Sequence, residues 1–324
     1  MKNIAKILKL LMVVVVSVGV LSCDDNNEME ETQSNTIADF VVENSNNYSS
    51  LLAALTKADL VNTLKGDGPF TVFAPDNAAF SAFLSENGFA SLDAVPVNTL
   101  KQILLNHVVS GAVKSTDLTT GYIQTLATAT PNNSHISMFV NTSGGVKLNG
   151  ISNVTAADNI LDNGVVHLVN KVIGLPTVVD FAVADPTFST LVAALTRADQ
   201  PNFVSVLSTS NGTAPAPFTV FAPTNNAFGT LLTELGASGL NDIDGATLTA
   251  TLNHHVVGGA NVRSTSLTNN MTVATLGGNI TANITGGAKL TDANGRVSNI
   301  VAVDVQATNG VIHVIDKVIL PNLN

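Results

Sequence analysis

Six histidines, a single cysteine and 24 acids are the residues of this 324-residue chain with chemistry to offer. A neutral imidazole serves as base or metal ligand near pH 7, so the histidines come first. His167 and His313 sit inside the apolar runs Val165–Val169 and Val311–Ile315. An imidazole in such a run reads as a buried, hydrogen-bonded core group. His107 and His255 close helical stretches, where a protonated ring would favour the terminal carbonyls. His254 and His255 are neighbours; on a helix they diverge by about 100 degrees and on a strand they face opposite ways, a poor chelate. Cys23, standing alone, excludes an internal disulfide and a multi-cysteine metal centre. The chain carries no GxSxG elbow, HExxH, GxGxxG, phosphate loop or EF-hand spacing. Asp67, Asp93, Asp117, Asp158 and Asp162 could meet in space as paired carboxylates with no spacing to reveal it, although such acids ordinarily cap helices or face water. No catalytic residue, metal or cofactor is therefore assigned.

The elements that position these residues come in duplicate. YSSLLAALTKAD at 48–59 returns as FSTLVAALTRAD at 188–199, PFTVFAPDNAAF at 69–80 as PFTVFAPTNNAF at 217–228, and NGVVHLVNKVI at 163–173 as NGVIHVIDKVI at 309–319. The offsets are 140, 148 and 146 residues, which places small insertions between the blocks, notably at Ser210–Pro215. A unit of this length is a self-sufficient domain rather than a solenoid repeat of roughly 20 to 50 residues. Leu51, Leu52, Leu55 and Ala58, like Leu191, Val192, Leu195 and Ala198, recur at helical spacing. Phe70–Phe73 and Phe218–Phe221 predict strands that the following Ala-Pro ends. Asp76 and Thr224 then stand where a helix N-cap is needed. A helix over Val97–Asn106, with its counterpart at Leu248–Asn253, leads into Val108-Val109 and Val256-Val257. The second half of each copy reads as strands: Ile136, Met138 and Val140 alternate, and Ser143-Gly144-Gly145, Thr285-Gly286-Gly287 and Asn294-Gly295 are turn signals. Asn-Gly then opens a closing strand over Val165–Ile173 or Val311–Ile319. The class is α+β, with domains at 36–176 and 177–324.

Composition narrows the partners. Apolar residues are 45% and charged ones 12%, enough for large cores under a Thr-, Asn- and Ser-rich surface. Formal charge is −10. With no basic cluster and no Trp, the chain lacks the footprint of a nucleic-acid binder. Lys2, Lys6 and Lys9 precede the 12-residue apolar run Leu10–Leu21, short of the roughly 20 residues that span a bilayer, so 1–22 reads as a signal peptide. Val20-Leu21-Ser22-Cys23 resembles the lipobox of bacterial lipoproteins, which implies cleavage before Cys23 and its acylation. Loss of three lysines from the 14 cations leaves 11 against 24 acids, or −13. The acidic stretch Asp24–Glu31, within a tether at 23–35, is similar to signals that send Bacteroidota lipoproteins to the outer face of the outer membrane.

FTVFAPDNAAF and FTVFAPTNNAF resemble the first signature block of fasciclin domains, and NGVVHLVNKVIGLP and NGVIHVIDKVILP the second. That resemblance implies two tandem domains, each a β-wedge decorated with helices, serving adhesion to cells, matrix proteins or glycans outside the cell rather than catalysis. Animal members carry a Tyr-His pair linked to integrin binding; His107 and His255 match its His, while Asn106 and His254 replace the Tyr. An Asp-Ile element corresponds to Asp158-Asn159 and Asp304-Val305. His107, Asp158, His255 and Asp304 are accordingly the candidate binding residues. The expected function is an extracellular binding or adhesion lipoprotein, anchored in the membrane through Cys23. The alternatives are a structural or accessory envelope lipoprotein in a surface complex, and a cryptic hydrolase.

Overall fold

A computed structural model describes residues 35–130 and 133–322. The signal-like segment, Cys23 and the acidic stretch lie outside the described residues. From Asn35 onward the chain is one compact unit.

Among the described residues each repeat builds the same helices and strands in the same order. The first copy has helices α1 (Ile37–Glu43), α2 (Ser45–Lys57), α3 (Val61–Lys65), α4 (Asn77–Glu86) and α5 (Val97–Leu105). Its strands are β1 (Phe70–Pro75), β2 (Val108–Ser110), β3 (Gly121–Ala129), β4 (Ser134–Asn141), β5 (Lys147–Leu148), β6 (Ser152–Leu161) and β7 (Gly164–Val169). The second copy repeats them as α6 (Val178–Ala184), α7 (Ser189–Leu195), α8 (Phe203–Leu207), α9 (Asn225–Leu235) and α10 (Gly245–Asn253). The matching strands are β8 (Phe218–Pro223), β9 (Val256–Gly258), β10 (Met271–Thr275), β11 (Gly278–Asn283), β12 (Lys289–Thr291), β13 (Val297–Ala307) and β14 (Gly310–Ile315).

The sheets have seven strands each, ordered β2-β1-β7-β6-β5-β4-β3 and β10-β11-β12-β13-β14-β8-β9. One interior pair in each, β1 with β7 and β8 with β14, runs parallel, and the other pairings are antiparallel. Parallel strands covered on both faces read as apolar runs without alternation, which explains Phe-Thr-Val-Phe-Ala and Val-Val-His-Leu-Val. Helices pack on one side over Phe80, Leu100 and Leu55. On the other side Phe73, Met138, Val140 and Leu148 form a smaller core inside the wedge.

Asp76 and Thr224 cap their helices as expected, each accepting from the amide three residues on. Two strand limits differ from expectation. The Ala-Pro dipeptides do not end β1 and β8 but complete them, with Pro75 opposite Val169 and Pro223 opposite Ile315; a proline is tolerated there because its missing N–H falls at the strand terminus. The closing strands stop at Val169 and Ile315 rather than at Ile173 and Ile319. Beyond that point the Ile173 and Ile319 amides donate to histidine rings instead of a ladder.

The repeated Asn-Gly works as a staple. Asn163 Oδ1 accepts from the Ile37 amide at the start of α1, and its Nδ2 donates to the Leu64 and Gly66 carbonyls at the end of α3. Asn309 does the same for Val178, Leu207 and Thr209. Next to it Gly164 has φ +154°, and a Cβ there would lie 2.0 Å from the Phe70 carbonyl oxygen, so only glycine fits.

The domains meet through sheet rather than linker alone. Phe139 of β4 is 2% exposed and belongs to the core of the second copy, with Phe181, Val305 and Ala307. Tyr122 of β3 lies 5.0 Å from Phe139 and edge-on to Phe181 at 5.5 Å. Its hydroxyl donates to Asp185, while the Gln306 amide donates to Ser137 Oγ, both at 3.0 Å. In the second copy the cross-strand pair matching Tyr122 and Phe139 is Thr272 and Thr281, at the surface and partly buried, respectively.

Candidate functional site

His107 and His255 are interior. They are 3% and 2% exposed. His107 Nδ1–H donates to the Ile103 carbonyl in the last turn of α5, and its Nε2 accepts from the Ile173 amide, both at 2.8 Å. His255 repeats this with Thr251 at 2.8 Å and Ile319 at 3.0 Å. A carbonyl only accepts and an amide only donates, so the neutral Nδ1–H tautomer is fixed. Burial lowers both rings to a pKa of about 4. The protonated helix-terminal ring anticipated from sequence is thus corrected to a neutral one that ties a helix end to the segment after the closing strand. Neither ring has a nitrogen left for a ligand. Asn106 and His254, which stand in place of the Tyr, are 0% and 3% exposed.

Asp158 and Asp304 sit at β-bulges in β6 and β13, with left-handed φ of +63° and +62°. Asp158 accepts from Ser115 N at 2.8 Å and Ser115 Oγ at 2.5 Å. Asp304 accepts from Ser264 N and Oγ at 2.8 and 2.6 Å. The Ser115 hydroxyl, with its amide, holds the Asp158 carboxyl below the usual carboxylate range. Behind each aspartate is a ring: the Asp158 amide donates to His167 Nδ1 at 3.2 Å, and His167 Nε2–H donates to Val113 O at 2.9 Å. His313 repeats this against Asp304 and Val262. The expectation of buried, satisfied imidazoles at 167 and 313 holds, both being 0% exposed.

Serine, aspartate and histidine thus adjoin, yet not in the order that activates a nucleophile. The serine hydroxyl is bonded to the carboxylate, and the ring faces a backbone amide and a carbonyl; a nucleophile needs the ring as its base. Ser115 and Ser264 were not singled out from the sequence. Their signal was a fourth repeated block, Val-Lys-Ser-Thr at 113–116 and Val-Arg-Ser-Thr at 262–265. The remaining acids are scattered: Asp162 accepts from the Asn35 amide and Asp117 from Thr116. Among the described residues no group of three His, Cys, Asp or Glu is placed to hold a metal ion.

The two copies differ in what surrounds the aspartates. The Asp304 side chain is 15% exposed and paired with Arg263 at 3.3 Å, and the following Val305 is buried under the first domain. Asp158 is 33% exposed, flanked by Ile160 in solvent.

A third location was not visible in the sequence. Where α4, α5 and the end of β3 approach the loop before β8, a cleft of 840 Å³ opens along the domain junction. Phe83, Phe89 and Leu175 form apolar wall, while Asn98, Gln102 and Asn211 present amides. Asn211 crosses the junction to the Thr130 carbonyl.

A sequence model of the Fasciclin domain matches residues 46–176 and again 186–321. The chain belongs to the fasciclin domain family. Its two fasciclin domains resemble the FAS1 domain pair of the insect cell adhesion molecule fasciclin I, with a TM-score of 0.52, 20% identity, and coverage of 87% of this chain and 98% of that one. Transforming growth factor-beta-induced protein ig-h3 of Sus scrofa is 32% identical over 268 residues, 80% of this chain and 36% of that protein. Protein sll1483 of Synechocystis is 40% identical over 126 residues, 39% of this chain and 66% of that protein. The chain therefore spans about a third of ig-h3, and the fasciclin pair rather than any whole relative is what it shares.

Proposed function

We propose that this protein is a surface-displayed, lipid-anchored adhesion protein whose fasciclin pair binds an extracellular macromolecule without transforming it. The observation that carries this reading is the fasciclin match over both halves of the chain. It is supported by fasciclin I, an adhesion molecule whose domain pair has the same fold. The wiring of Ser115, Asp158 and His167, which leaves no activated nucleophile, favours binding over hydrolysis. Ligand classes consistent with the acidic, amide- and hydroxyl-rich chain are matrix proteins, glycans and neighbouring cell surfaces, not nucleic acid. The anchor is an acyl group on Cys23, and the site of display is the outer face of the outer membrane. Linked domains raise avidity where both engage one partner.

The test compares three strains: wild type, one lacking the protein, and one with Cys23→Ser. Attachment to glycan- and matrix-coated surfaces is expected to fall several-fold in the second and third, with the Cys23→Ser protein losing its acyl mass and its membrane association. Equal attachment by wild type and the deletion strain removes the adhesion reading; an unmodified Cys23 in the wild type removes the anchor.

A further inference from the structure

The cleft at the domain junction has a composition at odds with the rest of the molecule. The chain carries 24 acids, yet among the described residues the only charged side chain in the cleft wall is Glu86, and it is paired with Lys171 at 3.2 Å. The remaining polar groups are amides and hydroxyls, each amide offering both a donor and an acceptor. Several have valences unspent within the protein. Gln102 Oε1 is held by the Thr128 amide at 2.8 Å, which fixes the side chain; its Nε2 has no partner among the described residues. Asn87 donates to the Phe83 carbonyl at 2.8 Å, and its side-chain oxygen has no partner among the described residues. Asn98 is exposed on the first turn of α5, with neither side-chain atom engaged among the described residues.

A side pocket of 270 Å³ shares Ile151, Gly174 and Leu175 with the cleft. It is lined by Asn149, which is 6% exposed, and by Asp180, whose carboxylate is engaged by the Thr177 amide and hydroxyl. Asn149 Oδ1 accepts from the Phe139 amide at 2.7 Å, so the amide's orientation is set, and the buried Nδ2 has no partner among the described residues. A buried donor left unmatched costs roughly 1 to 3 kcal/mol unless something meets it. Beside these groups stand Phe83 and Phe89, 6.3 Å apart. An aromatic face is electron-rich and attracts the weakly positive C–H bonds of an aliphatic ring laid on it.

Resting on the adhesion reading, we infer that this cleft is the ligand site and that it takes a neutral, hydroxyl-rich oligosaccharide. Sugar hydroxyls donate and accept at once and so match amides. The C–H faces of the rings match Phe89 and Leu175. Sulfated or uronic glycans and acidic peptides find no free cation among the described residues of the wall, and a lipid chain would strand the amides. The volume lies within the range of roughly 300 to 1,000 Å³ usual for small-ligand sites, and domain junctions are where such sites concentrate.

The probes are neutral gluco-, manno- and galacto-oligosaccharides, with heparin-derived and polygalacturonate fragments of equal length as charged counterparts, titrated against the full-length protein by calorimetry and ligand-observed NMR. At least one neutral probe is expected to bind with Kd between micromolar and millimolar, tighter than either charged fragment. Gln102→Glu keeps the acceptor for Thr128 but replaces the donor with an anionic oxygen; with Asn98→Ala it is expected to weaken binding of a neutral probe at least tenfold while the melting temperature stays within a few degrees. Asp199→Asn, outside the cleft, leaves binding unchanged. Binding untouched by the double variant, stronger binding of the charged fragments or of an acidic peptide, or no binding of any neutral probe overturns the site. If cells carrying the double variant still attach like wild type, the site falls and the adhesion reading stands; if the deletion strain also attaches normally, both fall.

Discussion

His107 and His255 give the molecule a titration it cannot hide. In an unfolded chain each ring protonates near pH 6.5. In the fold it resists down to about 4, because burial excludes the charged form. Between those values the unfolded state binds more protons, so stability rises with pH through this window and is lost as pH falls from about 6.5 toward 4. Each ring contributes a slope of up to about 1.4 kcal/mol per pH unit. Urea unfolding at pH 7, 6 and 5 should show a steep decline. His107→Gln should be less stable at pH 7 yet lose about one proton's worth of that slope; an unchanged slope would mean that the ring is not buried neutral. For His167 and His313 the role was legible early, since a ring inside an apolar run reads as core. His107 and His255 instead read from sequence as protonated rings at helix ends, and their burial was not legible. Nor were their partners. His107 reaches Ile173 across 66 residues, and no local pattern reports a contact closed by tertiary folding. The same holds for Asp158 and Ser115, 43 residues apart.

Elements carry their own constraints. The parallel pair β1–β7 is the spine of the first domain, and it is entered through Asn163-Gly164. Gly164→Ala would drive a Cβ onto the Phe70 carbonyl oxygen and hold it at φ +154°. The expected cost is about 3 kcal/mol or more, read as a drop in denaturation midpoint. Gly310→Ala, whose Cβ would lie 2.4 Å from the Phe218 oxygen, should behave alike in the second domain. An alanine tolerated at either place would contradict the register. The duplicated blocks made α2, α4, α5 and their counterparts, the caps and the turns readable because those depend on neighbours in sequence, while the short helices α1, α3, α6 and α8 were not read. β3 and β10 escaped notice, since Tyr122 and Ile123 do not alternate cleanly with polar neighbours while one face of the strand serves the domain seam.

For the whole molecule, the seam decides whether two domains behave as one. Phe139 is embedded in its neighbour's core. Truncating a buried Phe costs about 3 to 5 kcal/mol, and here the loss falls on the junction as well as on β4. Phe139→Ala is expected to split a single calorimetric transition into two and to increase proteolysis near Pro176. A single transition with only a lowered midpoint would make the seam passive. None of this was foreseeable from the repeat, because the blocks that match best are those inside each domain, and the surfaces that differ between copies are the ones that meet.

That difference has a consequence at high protein concentration. An aromatic pair on the outgoing face of one copy, answered by two hydroxyl side chains on the same face of the other, makes the joint directional. Stacking of this kind would need Tyr and Phe again at Thr272 and Thr281. Among the described residues the second copy's Thr272 and Thr281 offer no aromatic plug of this kind, so this joint does not repeat end on end into a fibre.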